Sequence, residues 1–283
     1  MPAKLIITCD DFGMHSSINA AAEEAFLSEM LTNVSIVANG EKFEDAVNIL
    51  NKYPDLSVGL HFNIIEGLSI AENHDVFTLL KDNKFYDNHV LFLKDFMFGK
   101  INPEHIRNEL KAQIKKCKSH GLKLSYIDGH RHLHLFPSIL KTIHPILEEE
   151  GIRKIRFVNV PFYEYRILEQ SKFFASLLFK YSYYQLGKKY ISPDWFLGFF
   201  DSGNIKLKNI KYWAKNMKEK QSYEIGFHLG DDDRLLKKTF EWDKHYKYNF
   251  SWENDLSSLL NKNTQELFKN NSAIKLINYN NLI

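Results

Sequence analysis

The chain has 283 residues, enough for one α/β barrel as a single domain over 1–283. Its 37 Lys and Arg nearly cancel 35 Asp and Glu, so the charge of +2 leaves no electrostatic footprint for nucleic acid. No apolar run is long enough to span a bilayer.

The first apolar run, residues 5–9, is expected to be a strand, and it leads straight into Asp10-Asp11-Phe12-Gly13. Two adjacent carboxylates at a strand end repel each other when buried unless a cation neutralises them. The alternative is an Asp N-cap for the helix predicted over 17–29, with a solvated neighbour. A second strand, 33–37, is followed by Asn39-Gly40 and a helix over 41–51. The third, 57–62, contains Gly59-Leu60-His61 and is followed by a long excursion near 64–102.

A helix over 103–120 begins with Pro103 and stops at Gly121, and another over 137–150 begins with Pro137 and stops at Gly151. Between them a strand over 124–128 runs into Asp128-Gly129-His130-Arg131-His132-Leu133-His134. Read as extended chain, residues two apart project to one side, which places His130, His132 and His134 to converge, with only one or two of them expected to reach a single ion. Strand 155–159 contains Arg156. An aromatic and basic excursion follows near 163–193, with a helix over 164–186. Strands 195–199, 224–228 and 273–279 and helices 207–219 and 253–269 complete the pattern.

Repeated strand–helix units with near-continuous apolar strands predict a parallel sheet. About eight units favour an α/β fold closed as a distorted, TIM-like (β/α) barrel, whose site lies at the C-terminal strand ends. Those ends are where Asp10, Asp11, His61, Asp128, His130 and His228 fall. One carboxylate with two imidazoles and open positions suits a catalytic metal site, and a second carboxylate beside it suits a general base. His15, His74, His89, His105, His120, His144 and His245 are read as ordinary surface groups.

The aromatics Phe173, Phe174, Phe179, Tyr181, Tyr183 and Tyr184, flanked by Lys172, Lys180, Lys188 and Lys189, allow three readings. They form a helix with a broad core face, an amphipathic lid that grips a lipid-linked sugar or touches a membrane surface, or a platform that stacks on sugar rings.

Two cysteines, Cys9 and Cys117, with no zinc-type spacing point to a reducing compartment rather than a disulfide framework. No basic and apolar leader is visible, which makes the cytoplasm the default expectation. A homodimer is the default assembly for such a chain.

The motifs Thr8-Cys9-Asp10-Asp11-Phe12-Gly13, Gly59-Leu60-His61, Asp128-Gly129-His130-Arg131-His132 and Glu224-Ile225-Gly226-Phe227-His228 resemble, in order, those of the YdjC-like carbohydrate deacetylases. The segment Asp194-Trp195-Phe196-Leu197-Gly198, with Ser202-Gly203, is similar to the branch associated with hopanoid biosynthesis. The resemblance implies metal-dependent removal of an acetyl group from an N-acetylated sugar or glycolipid. Asp11, His61 and His130 would hold one divalent metal ion, Mg or Zn first, with Mn or Co also compatible. Asp10 would be the base and His228 the acid. Asp128 would orient a ligand histidine, and Asn39, His132 and Arg156 would meet the substrate.

The chain departs from the family pattern at Leu229, where Pro is frequent, and at Gly129, where Ser is frequent. Two other readings use the same residues: another metal hydrolase, such as a deformylase or phosphoesterase, or a non-catalytic glycan-binding protein.

Overall fold

The structure is a computed structural model that describes residues 1–240 and 250–283. Among them are seven strands: β1 (Ala3–Phe12), β2 (Asn33–Ile36), β3 (Ser57–Phe62), β4 (Ile127–Gly129), β5 (Trp195–Leu197), β6 (Ser222–Phe227) and β7 (Ile274–Leu276). They form one sheet in the order β4-β3-β2-β1-β6-β5, and every pairing is parallel. β7 pairs with the first residues of β1.

Residues 155–159, expected as a strand, make isolated bridges rather than a ladder. Arg156 N–H donates to Ile127 O at 3.0 Å, Ile155 N–H to Ile191 O at 3.1 Å, and Asn159 O accepts from Phe196 N–H at 2.9 Å. The segment thus links β4 to β5, with too few bonds on either side to count as a strand. The parallel sheet thus curves into a distorted half-barrel.

The helices cover the outside: α1 (Ser16–Leu27), α2 (Phe43–Lys52), α3 (Asn73–Val76), α4 (His89–Met97), α5 (Pro103–Ser119), α6 (Pro137–Glu149), α7 (Gln170–Leu186), α8 (Leu207–Asn216), α9 (Asp233–Phe240), α10 (Trp252–Leu259) and α11 (Lys262–Lys269). The helix expected over 253–269 is two, because Asn261 breaks it and caps α11 by accepting from Asn263 N–H. The helix expected from 164 starts at Gln170, because Glu164 turns inward to accept from Trp213 Nε1. Pro103 and Pro137 occupy first turns, and Gly121 and Gly151 take left-handed stops. The cap of α1 is His15, which accepts from Ser17 N–H, so neither Asp10 nor Asp11 is an N-cap.

Two cores follow from strand alternation. Leu5, Ile7 and Cys9 pack outward against the helices in the larger core. Ile6 points into the barrel and packs with Tyr126, Ile277, Tyr279 and Leu282. The C-terminal segment therefore plugs the barrel, with the Tyr126 and Tyr279 rings stacked at 3.8 Å. A Cβ on Gly59 would meet the Tyr126 ring at 2.4 Å, which explains a glycine in β3. Both cysteines are buried and free. No helix among the described residues is long and apolar enough to cross a membrane.

Candidate active site

Alternation alone would send Asp10 and Asp11 to opposite faces of β1. The pairing with β2 slips between Cys9 and Phe12, and Asp11 takes φ 61°. This bulge bends the strand end so that both carboxylates reach one site. Both are buried, at 2% and 1% exposure.

Inside the barrel, Arg156 is fully buried and holds three carboxylates. It donates to both oxygens of Asp10 at 2.8 and 2.9 Å, lies 2.7 Å from Asp128 Oδ2, and donates to Glu224 Oε1 at 2.8 Å. Thr8 and Tyr279 complete Glu224 by donating to its two oxygens at 2.8 and 2.6 Å. Ser35 donates to Asp128 Oδ2 at 2.6 Å. Burial pushes the Glu224 carboxyl up despite Arg156. Burial also opposes ionisation of Asp128, but Arg156 and His61 hold it well below the usual range.

Above this layer, His61 Nδ1 sits 2.7 Å from Asp128 Oδ1, and His61 Nε2 sits 3.4 Å from Asp11 Oδ1. His130 Nδ1 lies 2.9 Å from the same Asp11 oxygen. His130 Nε2 faces Glu66 Oε1 at 3.3 Å, and Glu66 also pairs with Arg131. Each histidine is thus bracketed by two carboxylates. Burial opposes charge on His61, yet Asp128 and Asp11 raise its pKa to about 10. Burial would raise the Asp11 and Glu66 carboxyls. His130 and His61 hold Asp11 well below its usual range, and His130 and Arg131 bring Glu66 to about 2.

These residues fit a divalent ion. Ligand atoms about 2.0–2.2 Å from one ion sit about 3–3.5 Å apart, which are the separations Asp11 Oδ1 makes with both histidines. A neutral His61 that donates from Nδ1 to Asp128 turns an Nε2 lone pair toward the Asp11 carboxylate. Two acceptors that close require a proton or a cation between them. Asp11 Oδ2 is buried and accepts no hydrogen bond from any described residue. Asp10, His61 and Asp128 also cluster, but Arg156 already occupies the space between their carboxylates.

His228 follows β6, with Nε2 3.9 Å from Asp11 Oδ2 and its ring against Phe250. Asp255 accepts from His228 N–H at 3.1 Å and Ile205 N–H at 2.6 Å, which fixes the loop. Burial pushes the His228 imidazole below its ordinary pKa.

Four expectations require correction. The segment His130–Leu135 is a 3-10 turn with Arg131 and His132 at φ 53° and 56°, not an extended run. Only His130 reaches Asp11. His134 Nε2 lies 3.0 Å from Arg156 O, and His132 packs among Phe179, Phe196 and Phe199 while still lining the cavity. A Cβ at Gly129 would meet His134 Nδ1 at 2.8 Å, so this turn favours glycine.

Arg156, expected to face substrate, is enclosed by carboxylates. Asn39 does not line the cavity: its Nδ2 donates to Glu66 O and Leu68 O, both at 2.9 Å, and its Oδ1 accepts from Asn63. It shapes the loop that carries Glu66. Two of the histidines read as surface groups have other places: His89 lines the cavity beside Arg131, and His105 is buried against Thr78. His245 lies outside the described residues.

Glu66 was not among the expected site residues, because it lies in an excursion rather than at a strand end. An acidic residue shortly after His61-Phe62-Asn63 was the only sign of it.

Such a barrel, with acidic and imidazole groups gathered at the C-terminal strand ends, belongs to the α/β proteins that place their sites on that face. The family model described as YdjC-like protein matches residues 4–270, and the chain belongs to that family. It is 29% identical to a carbohydrate deacetylase of Clostridium beijerinckii over 99% of this chain and 100% of that one. It is 33% identical to the Brevibacillus brevis carbohydrate deacetylase over 52% of this chain, and this match spans 56% of the relative's length. Matches to several other curated relatives also span about half of those proteins; for the Xenopus laevis carbohydrate deacetylase the share is 51%. A solved structure from Enterococcus faecalis V583, of a protein proposed to cleave cellobiose phosphate, superposes with a TM-score of 0.80. It is 20% identical and covers 100% of this chain and 99% of that one, a likeness of fold.

Proposed function

We propose that this protein is a metal-dependent carbohydrate deacetylase that hydrolyses the acetamide of an N-acetylated sugar. The observation that carries the reading is Asp11 Oδ1 within 2.9 Å of His130 Nδ1 and 3.4 Å of His61 Nε2, beside an Asp10 clamped by Arg156. The relatives named carbohydrate deacetylase support the substrate class.

Asp11, His61 and His130 would hold the ion. A divalent ion bound there supplies Lewis-acid polarisation of the acetamide and lowers the pKa of a water. Asp10 takes the proton from the attacking water. Arg156 holds the Asp10 carboxylate in one orientation, so its basic oxygen stays in place. His228 gives a proton to the departing amine. Asp128 and Glu66 orient His61 and His130 from behind.

Acetate release from N-acetylglucosamine oligomers and glycosides, with and without chelator, tests this function. Release that chelator abolishes and added ion restores is expected. The His61→Ala, His130→Ala double variant is expected to lose bound metal in elemental analysis. Unchanged metal affinity in that variant would overturn the ligand assignment.

A further inference from the structure

We infer that the start of α10 aims the proton-donating His228, with Asp255 and Phe250 as its positioning residues. The acid role of His228 rests on the deacetylase reading; the contacts that hold it rest on geometry alone.

The cavity measures about 620 Å³, and Asp10, His61, His130 and His228 line its floor. The first three are locked by charge: Asp10 on Arg156, His61 between Asp128 and Asp11, His130 between Asp11 and Glu66. His228 is held differently. Its Nδ1 is buried and makes no hydrogen bond with any described residue, and its Nε2 stands 3.9 Å from Asp11 Oδ2. Other contacts must fix the ring, because a proton donor works only within hydrogen-bond reach of the atom it serves.

Two contacts from one element do so. Asp255, in the first turn of α10, is fully buried and spends both carboxylate oxygens on backbone. Oδ2 accepts from His228 N–H at 3.1 Å and Oδ1 from Ile205 N–H at 2.6 Å. Phe250, just before α10, meets the imidazole edge-on, with centroids 5.2 Å apart and planes at 74°. The first contact fixes the main chain of His228, and the second gives its ring a wall to rest on.

Neighbouring residues tie down the surroundings. Ser251 N–H donates to Gly203 O at 2.6 Å, and Asn254 Nδ2 donates to Asn204 Oδ1 and Ile205 O at 2.8 and 3.0 Å. A Cβ would sit 2.0 Å from the Phe250 ring at Gly203 and 2.8 Å from Trp252 Cβ at Gly230. The loops at 203–205 and 228–230 therefore pack closely on 250–255. A carboxyl costs free energy to bury, and the two N–H bonds offset that cost only while both loops stay in register.

The role has a chemical signature. As the bond from acetyl carbon to sugar nitrogen breaks, its electron pair stays on nitrogen, which takes a proton from His228. The acetyl carbon keeps the oxygen of the attacking water and departs as acetate. A para-nitrophenolate leaves without such a proton. A displaced His228 should therefore slow amide hydrolysis and spare hydrolysis of para-nitrophenyl acetate.

The test measures both reactions on ion-loaded protein, with N-acetylglucosamine oligomers as the amide. Asp255→Ala is expected to lower kcat for the amide about 10²-fold with KM and bound metal unchanged, the loss a misplaced group commonly produces. Asp255→Asn, which keeps one acceptor oxygen, should fall between it and the wild type. Added to His228→Ala, Asp255→Ala should cost nothing further. Phe250→Leu, at a half-buried position, should show the same amide-selective loss, and it decides the matter if Asp255→Ala does not fold. Ser251→Ala removes the cap that accepts from Asn254 N–H; it should loosen α10 and leave the amide-to-ester ratio unchanged.

Equal losses on amide and ester, or a further loss on top of His228→Ala, would overturn the positioning assignment and leave the deacetylase reading standing. A wild type that releases no acetate from any N-acetylated sugar would remove that reading instead. The NMR signals of the His228 ring would then decide the positioning alone. A shift in Asp255→Ala but not in Ser251→Ala would support it, and no shift would overturn it.

Discussion

The floor and the rim of the cavity are built on opposite principles. The floor comes from strand ends, and its charges are buried and locked: Asp10, Asp128 and Glu224 all meet Arg156, and Asp11 lies against both His130 and His61. The rim comes largely from the two excursions, and it exposes Val90, Met97, Phe98, Phe174 and Tyr184 to solvent. Rigid charge at the base fixes which bond is attacked, because orientation and electrostatics act only where groups cannot relax. Apolar walls above leave room to select the rest of the substrate.

Removing charge from the floor should produce the largest effects. Asp10→Asn is expected to lower kcat for acetate release by about 10²–10⁴-fold with bound metal unchanged. Steady-state kinetics with elemental analysis checks this, and full activity would remove Asp10 as the base. Arg156→Met leaves three buried carboxylates without their cation. It is expected to destabilise the fold by about 3–5 kcal/mol in urea unfolding. A polar replacement at exposed Met97 should change stability by less than about 0.5 kcal/mol. Similar losses at the two positions would erase the contrast between floor and rim.

Much of the floor was legible because strand ends are legible. An apolar run followed by acidic or imidazole residues marks the C-terminal end of a parallel strand, and Asp10, Asp11, His61, Asp128, His130 and His228 all occur in that setting. The devices that aim those side chains were not legible. The bulge at Asp11 depends on how β1 registers with β2, a long-range pairing with no local signal beyond an Asp that tolerates φ 61°. The turn after β4 was misread for a related reason. Alternating histidines look extended, yet two left-handed residues curl the segment into a 3-10 turn. Arg156 was expected to meet substrate because the family resemblance puts a polar, substrate-facing residue at that place. In a barrel with a polar middle layer it reaches the axis instead.

A buried carboxylate anchors the first excursion. Glu109 on α5 is buried and accepts from Ile70 N–H and Ala71 N–H at 3.1 and 3.0 Å, tying the first excursion to the barrel wall. Burial raises its carboxyl from 4.5 to about 7, despite those bonds and one from Gln113. The folded chain then binds more protons than the unfolded chain between about pH 4.5 and 7. Stability should therefore fall as pH rises through that window, by up to about 3 kcal/mol. Glu109→Gln, which never ionises, is expected to flatten the dependence in denaturation measured from pH 5 to 8. An unchanged slope would place the titrating group elsewhere.

Glu66 crosses the division between floor and rim, because it belongs to the first excursion yet faces His130 at 3.3 Å. Its carboxylate does for His130 what Asp128 does for His61, holding the ring from the side away from Asp11. Asn39 and Asn63 support it through the backbone of its own loop, and Arg131 holds its charge. Loss of such a partner commonly weakens metal affinity or activity by about 10–100-fold. Glu66→Gln is expected to weaken metal affinity within that range while retaining the fold, measured by metal titration with a competing chelator. Rim substitutions such as Met97→Asn should leave metal affinity untouched. A Glu66→Gln protein with unaltered metal affinity would return Glu66 to the rim and restore a clean division between strand-built chemistry and excursion-built selection.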